Sequence, residues 1–224
     1  MRMDLSKLLE KSVFKKIALS LLVSLILFGI TVCVNLNIPP RVVTVKEDIP
    51  FLSHPVIRTH IGKKFLALTC FLLPIAIFAV VEYILDEAFS LMQILLFAST
   101  ILLSINITYV VTATLKIAVG RLRPNFYELC SYDKLLEKCT ASKKLEHLAR
   151  KSFPSGHSAI AFSSQGVVFC YLKDKLMSKR FEDNLKIKFC KIVSICFPLV
   201  IAGIIAASRM FEQWHFLTDV IFGG

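Results

Sequence analysis

The chain is 224 residues long and 55% hydrophobic, with a mean hydropathy of +0.67, and that composition excludes a soluble domain whose surface must be wetted. Its formal charge is +11, from 27 Lys and Arg against 16 Asp and Glu. Those cations fall in the gaps between apolar runs and not along one face, which argues against nucleic acid and for a membrane protein with basic flanks.

In chain order, residues 1–16 carry five basic residues and a capping-like Asp4-Leu5-Ser6, and read as a cytosolic N-terminal segment. Residues 17–34 follow without a charge, long enough to cross a bilayer. No small-x-small cleavage site follows them, so the run is expected to be an uncleaved anchor. Residues 35–64 form a polar loop outside the membrane, with Pro39-Pro40, Pro50 and Pro55 excluding regular helix. The second span, 65–85, contains Pro74, which a membrane helix tolerates where neighbours re-satisfy the freed carbonyl, and Asp86-Glu87 ends it. The third, 88–119, would reach about 48 Å at ~1.5 Å per residue, so its end must tilt or protrude and carry Lys116 to the interface. Asn106-Ile107-Thr108 lies inside this span and reads as a helix-packing polar residue rather than a glycosylation site.

Residues 120–153 make the longest basic loop, opened by Pro124 and closed by Pro154. A fourth span, 155–172, is short for a crossing; a basic loop, 173–188, leads to a fifth, 189–207, and a sixth begins at 215–224. The expected fold class is therefore an all-α, polytopic transmembrane bundle of five spans plus the start of a sixth, with residues 17–224 as one membrane domain. Five cysteines sit in apolar runs as small hydrophobes, whereas Cys130 and Cys139 share one polar loop and are a candidate disulfide if that loop faces an oxidising compartment. Two free thiols in a cytosolic loop is the equal alternative. Basic residues do not orient the chain: 12 fall on each side once Lys116, Arg123 and Arg209 are set aside.

Three polar clusters interrupt the apolar pattern: Lys116 with Arg123-Pro124, then Pro154-Ser155-Gly156-His157, then Ser208-Arg209 with His215 and Asp219. Each sits at a span end, and because those spans are consecutive all three ends share one membrane face. A phosphate monoester needs cations or N–H donors at its oxygens, an in-line nucleophile and an acid for the departing alkoxide. Lys116, Arg123 and Arg209 supply cations, and Ser155 as N-cap with Gly156 behind it makes the fourth helix start an anion site. His215 and Asp219, four apart on a helix, would share a face and let the carboxylate fix the imidazole tautomer. Lys116 and Arg123 alone would more often be interfacial snorkellers, and Pro-Ser-Gly-His an ordinary helix start. The ordered set is what carries weight. A metal held by His157, His215 and Asp219 is disfavoured by three adjacent fixed cations, so neither metal nor cofactor is expected.

In this order and spacing the clusters resemble the signature of the type 2 phosphatidic acid phosphatase family, in its lipid phosphate phosphatase branch. The resemblance covers Lys116 to Asp219 by motif and the rest by its apolar runs. It implies that His215 is the nucleophile and forms a phosphohistidine, that Asp219 orients it, and that His157 protonates the leaving alcohol. Lys116, Arg123, Ser155, Gly156 and Arg209 would bind phosphate. It also implies a six-helix bundle and a phospholipid substrate such as phosphatidate, lysophosphatidate or a sphingoid-base phosphate, met at the extracytoplasmic surface of a plasma membrane or endomembrane. Only nine residues follow His215, so the sixth helix is expected to be begun and not completed. Two other readings stand beside this one: a phosphatase for another organic phosphate or a polyprenyl diphosphate, and an inactive homologue that binds lipid or partners. The oligomeric state stays open, a homo-oligomer included.

Overall fold

A computed structural model describes residues 5–44, 50–85, 90–178 and 184–224. Asp4 of the capping-like triplet, the Asp86-Glu87 stop and the expected start of the third span at residue 88 lie outside them.

The described chain is a helical bundle topped on one end by a small loop layer. Helix α1 is Leu5–Asn37, a second long helix runs from α2 (Lys63–Ala67) through α3 (Leu73–Leu85), and α4 is Leu91–Val119. The loop layer holds α5 (Phe126–Cys130), the two-residue strands β1 (Tyr132–Asp133) and β2 (Lys138–Cys139), and α6 (Lys143–Ala149). Then come α7 (Gly156–Ser178), α8 (Leu185–Phe211) and the short α9 (Leu217–Ile221). The helices overrun the apolar runs at both ends. Most of the segment expected to precede the first span is already helical in α1, and the expected loop 173–188 is helical at both margins. A backbone hydrogen-bond ladder continues through polar residues as readily as apolar ones, so helix ends do not follow hydropathy.

Among the described residues four helices are long and apolar enough to cross a membrane: Glu10–Asn37, Lys63–Leu85, Leu91–Val119 and Leu185–Phe211. The expected fourth span is not one of them. At 23 residues α7 is longer than expected and would reach ~35 Å, but it carries Ser158, Ser163, Ser164 and Gln165 and packs between α4 and α8. These polar groups meet partners inside the bundle. Ser104 of α4 and Ser163 share a hydroxyl hydrogen bond of 2.7 Å. Leu68–Leu72, between α2 and α3, widens into a π-helical turn just before Pro74. There Gln165 Nε2 donates to the Thr69 carbonyl at 2.7 Å and Ser164 Oγ to that of Cys70. Pro74 has no N–H to offer the carbonyl four residues back, and α7 supplies the missing donor. At the far end Tyr171 and Lys175 of α7 both donate to the buried Glu82 of α3, at 2.9 and 2.6 Å.

Two details place the loop layer over the bundle. Helix α4 ends at Gly120 in left-handed conformation, φ +63°, and a Cβ there would lie 2.0 Å from the Arg41 carbonyl oxygen, so only glycine fits. Beyond it Arg123 N–H donates to the Ala149 carbonyl and Ser152 N–H to that of Arg121, at 2.9 and 3.0 Å. The chain before the first cluster's arginine is thereby joined to the chain before the second cluster. Leu52, Leu122, Phe126, Leu129, Cys130 and Ala149 form the buried apolar core of the layer, and Trp214 and Phe216 pack on it. Cys130 and Cys139 are disulfide-bonded, Cα to Cα 5.2 Å.

Candidate active site

Where α4, α7 and α8 end together the structure encloses a cavity of about 450 Å³. Lys116 and Arg123 of the first cluster line it, with Gly156 and His157 of the second and Arg209 and His215 of the third. Tyr109, Thr112 and Ala113 of α4 also line it, and its rim includes Asn35, Lys63 and Lys151. Three cations and two imidazoles therefore line one cavity. The amides of the first turn of α7 lack carbonyl partners in their own helix, which adds N–H donors and the positive end of a dipole.

Ser155 and Asp219 do not line the cavity. Both are fully buried behind it. Ser155 Oγ accepts from the Ser158 N–H at 3.4 Å, the N-cap position expected for it, while its own N–H donates to the Asp219 carbonyl at 2.8 Å. Gly156 faces Lys116, and a Cβ there would come to 3.7 Å of Lys116 Cε, ordinary contact.

His215 and Asp219 stand side by side, but with a geometry other than the expected one. The two are not neighbours on one helix. His215 lies in the bend before α9, Phe216 is the N-cap of that helix, and Asp219 is its third residue. Asp219 Oδ2 turns back to accept the Phe216 N–H at 3.0 Å, as the third residue of a capping box does, and lies 3.6 Å from His215 Nδ1. That separation is longer than a hydrogen bond. On the other side of the ring, Arg123 Nη1 stands 3.4 Å from Nε2. Burial, and then Arg123, hold the His215 imidazole well below the usual histidine range, against the opposing pull of Asp219. The neutral tautomer with its proton on Nδ1 leaves an Nε2 lone pair towards Arg123 Nη1, in the wall of the cavity that both residues line.

Each cation is also a brace. Lys116 Nζ donates to the carbonyls of Lys151, Ser152 and Pro154, which uses all three ammonium donors. Arg123 donates to the carbonyls of Leu148, Lys151 and Trp214, and its guanidinium lies 5.2 Å over the Trp214 ring. Burial pushes Arg123 down to about 10, which leaves it charged at neutral pH. Arg209 Nη2 lies against Glu212 Oε2, an ion pair by distance that lacks hydrogen-bond alignment.

Several residues that hold the site were not read from the sequence. Residues 54–62 form a strap across it: the His60 N–H donates to Glu212, and the Ile57 carbonyl accepts from Trp214 Nε1. Arg121 and Ser152 contact Asp219 directly. Glu212 alone had a local signal, three residues after Arg209 and on the same helical face. The partners of Ser152 and Arg121 lie 67 and 98 residues away, which no spacing rule reaches.

Residues 97–224, more than half of the chain, match the PAP2 superfamily, and the chain belongs to that family. Among its relatives is lipid phosphate phosphatase 2 of Arabidopsis thaliana, 30% identical over 211 residues, which cover 91% of this chain and 70% of that protein. Lipid phosphate phosphatase 1 of the same plant is 35% identical over 130 residues, 55% of this chain and 38% of that one. Diacylglycerol pyrophosphate phosphatase 1 of Saccharomyces cerevisiae is 30% identical over 188 residues, 77% and 62% respectively. No solved structure matches.

Proposed function

We propose that the chain is an integral-membrane lipid phosphatase that removes phosphate from phosphatidate, lysophosphatidate or a sphingoid-base phosphate through a phosphohistidine. One observation carries this reading: side chains from all three clusters line one cavity. Its cations favour a phosphoryl group, and most of its lining surface is apolar.

In the first step His215 Nε2 attacks phosphorus while Arg123, Arg209 and the α7 amides hold the equatorial oxygens and Lys116, its donors committed to backbone carbonyls, contributes its charge. Burial and then Arg209, Arg123 and Lys116 push His157 down to about 4 in the empty site, so it takes up its proton as the phosphate anion offsets those cations; the P–O bond to the alcohol then breaks and His157 gives that proton to the departing oxygen. In the second step His157 takes a proton from water, the hydroxide attacks phosphorus, and the P–N bond breaks to return neutral His215 and free phosphate. Every charge the site supplies is fixed in the protein, and the same cations would repel a divalent metal, so the reaction is expected to proceed in excess chelator. The Cys130–Cys139 bond in the loop layer beside the cavity supports an oxidising, extracytoplasmic side for the site.

The test is phosphate release from phosphatidate in mixed micelles. The unaltered chain should release it, and His215→Asn should not. His157→Asn should also release little, and the unaltered chain quenched during turnover should carry a phosphoprotein that survives alkaline denaturation and is lost in acid, as a phosphoramidate is. Equal release by the chain and by His215→Asn overturns the nucleophile assignment.

A second reading is favoured by Lys63 and Lys151, two further cations at the rim. They would suit a lipid diphosphate, the chemistry in the yeast relative's name. If so, Lys151→Ala should raise KM for the diphosphate and leave that for the monophosphate unchanged.

A further inference from the structure

Asp219 is gripped from several sides. Oδ2 accepts from Ser152 Oγ at 2.6 Å as well as from the Phe216 N–H, and Oδ1 accepts from Arg121 Nη1 at 2.7 Å. Arg121 is fixed in turn by a 2.7 Å bond to Thr218 Oγ1 and by the Phe216 ring, 4.6 Å below its guanidinium carbon. Neither Arg121 nor Ser152 lines the cavity, so neither touches a bound phosphate.

We propose that Arg121 and Ser152 are positioning residues for the attack by His215: they aim Asp219 Oδ2 at the imidazole and set how much of its negative charge the ring experiences. This rests on the reading of His215 as nucleophile. A nucleophilic imidazole must be neutral, yet a fully buried carboxylate beside it favours the imidazolium. Arg121 resolves the conflict by occupying Oδ1 with an opposite charge. Ser152 and the Phe216 N–H pin Oδ2, so that the carboxylate orients the ring at 3.6 Å without drawing a proton onto it. The other charged or titratable groups that line the cavity with His215, among the described residues, are Lys63 from α2, Tyr109 and Lys116 from α4, Arg123 from the following turn, Lys151 ahead of α7, His157 from α7 and Arg209 from α8. These stay in place when Arg121 is changed, so the effect of its charge can be read separately.

The experiment compares the unaltered chain with Arg121→Gln, Arg121→Lys, Ser152→Ala and His215→Asn, all full length in micelles. Two quantities are followed against pH: kcat and KM for phosphatidate, and His215 protonation from 15N-histidine spectra, in which His215→Asn assigns the signal. Arg121→Gln is expected to lower kcat by about 10²-fold with KM within about twofold, as a misplaced reacting group does. It should also raise both the acid limb of kcat/KM and the His215 titration by about one pH unit. Arg121→Lys restores the position of the limb because it keeps the charge. Ser152→Ala lowers kcat and leaves the limb where it was. The spectra need no turnover, so a His215 titration unmoved in Arg121→Gln overturns the proposal even in an inactive variant. Undiminished release by His215→Asn would instead overturn the nucleophile reading, and the spectra would still decide the coupling.

Discussion

Arg209 Nη2 and Glu212 Oε2 meet one turn apart at the end of α8, with their side chains 2% and 5% exposed. Glu212 Oε1 also accepts the His60 N–H at 2.7 Å, so one carboxylate neutralises a cavity cation and anchors the strap over the site. Removing one partner of a buried pair leaves an uncompensated charge, at a cost of about 3–5 kcal/mol. Glu212→Ala should therefore lower the unfolding midpoint markedly and raise KM. Glu212→Gln keeps an acceptor for His60 and should recover part of the stability, as thermal unfolding in micelles would measure.

Lys116 gives a sharper contrast. Its ammonium fits three carbonyls converging from residues 151–154, and a planar guanidinium cannot present three donors in that arrangement. Lys116→Arg should consequently fail almost as fully as Lys116→Met, each with kcat/KM lower by about 10²-fold or more. Near-normal turnover by Lys116→Arg would mean that the charge alone matters.

His215 also predicts how stability depends on pH. Burial and Arg123 lower its folded value below the unfolded one near 6.5, so between those two values the unfolded chain binds more protons than the folded chain. Stability at this group therefore rises with pH up to about 6.5 and is lost as pH falls below it. The unaltered chain should lose unfolding midpoint on acidification from pH 6.5, and His215→Asn should flatten that slope. Since the neutral ring is the reacting form, activity should persist to lower pH than a solvent-exposed histidine would allow.

The parts legible in the sequence are those decided by neighbours along the chain. Apolar runs locate α1, α3, α4 and α8 because lipid-facing residues must be apolar whatever they pack on. Helix α7 reads as a short run because its serines and Gln165 interrupt the apolar pattern, and their partners on α4 and on the turn at Leu68–Leu72 do not register in hydropathy. In the site, residue types and order place Lys116, Arg123, His157 and His215 around one cavity, each being tied to a helix end. The His215–Asp219 relation is recovered with the wrong geometry, since a spacing of four reads equally as one helical face or as a capping turn. Arg121, Ser152 and the strap stay hidden because their contacts form only once the loop layer folds onto the bundle.

Cys130 and Cys139 close a short loop that also packs Tyr132 against Phe126 and Tyr127. For a loop of this length the chain-entropy account gives about 2–3 kcal/mol. Cys130→Ala with Cys139→Ala should lower the unfolding midpoint and leave KM nearly unchanged, because neither sulfur reaches the cavity. In the unreduced protein both thiols should resist maleimide until a reductant is added; labelling beforehand would place the loop in a reducing compartment.

The far end of the bundle offers a control that separates stability from chemistry. Glu82 is buried in α3, where it receives Tyr171 and Lys175, and it stands at the opposite end of α7 from His157. Glu82→Gln leaves a cation facing a neutral amide and should cost stability, whereas the double change Glu82→Leu with Lys175→Leu removes both charges and should recover much of it. Neither should alter KM for the lipid phosphate or the acid limb, since the cavity geometry is set by the other end of α7. A change in the pH profile from Glu82→Gln would show that α7 transmits strain along its length, and the network behind His215 would then have to be redrawn to include this carboxylate.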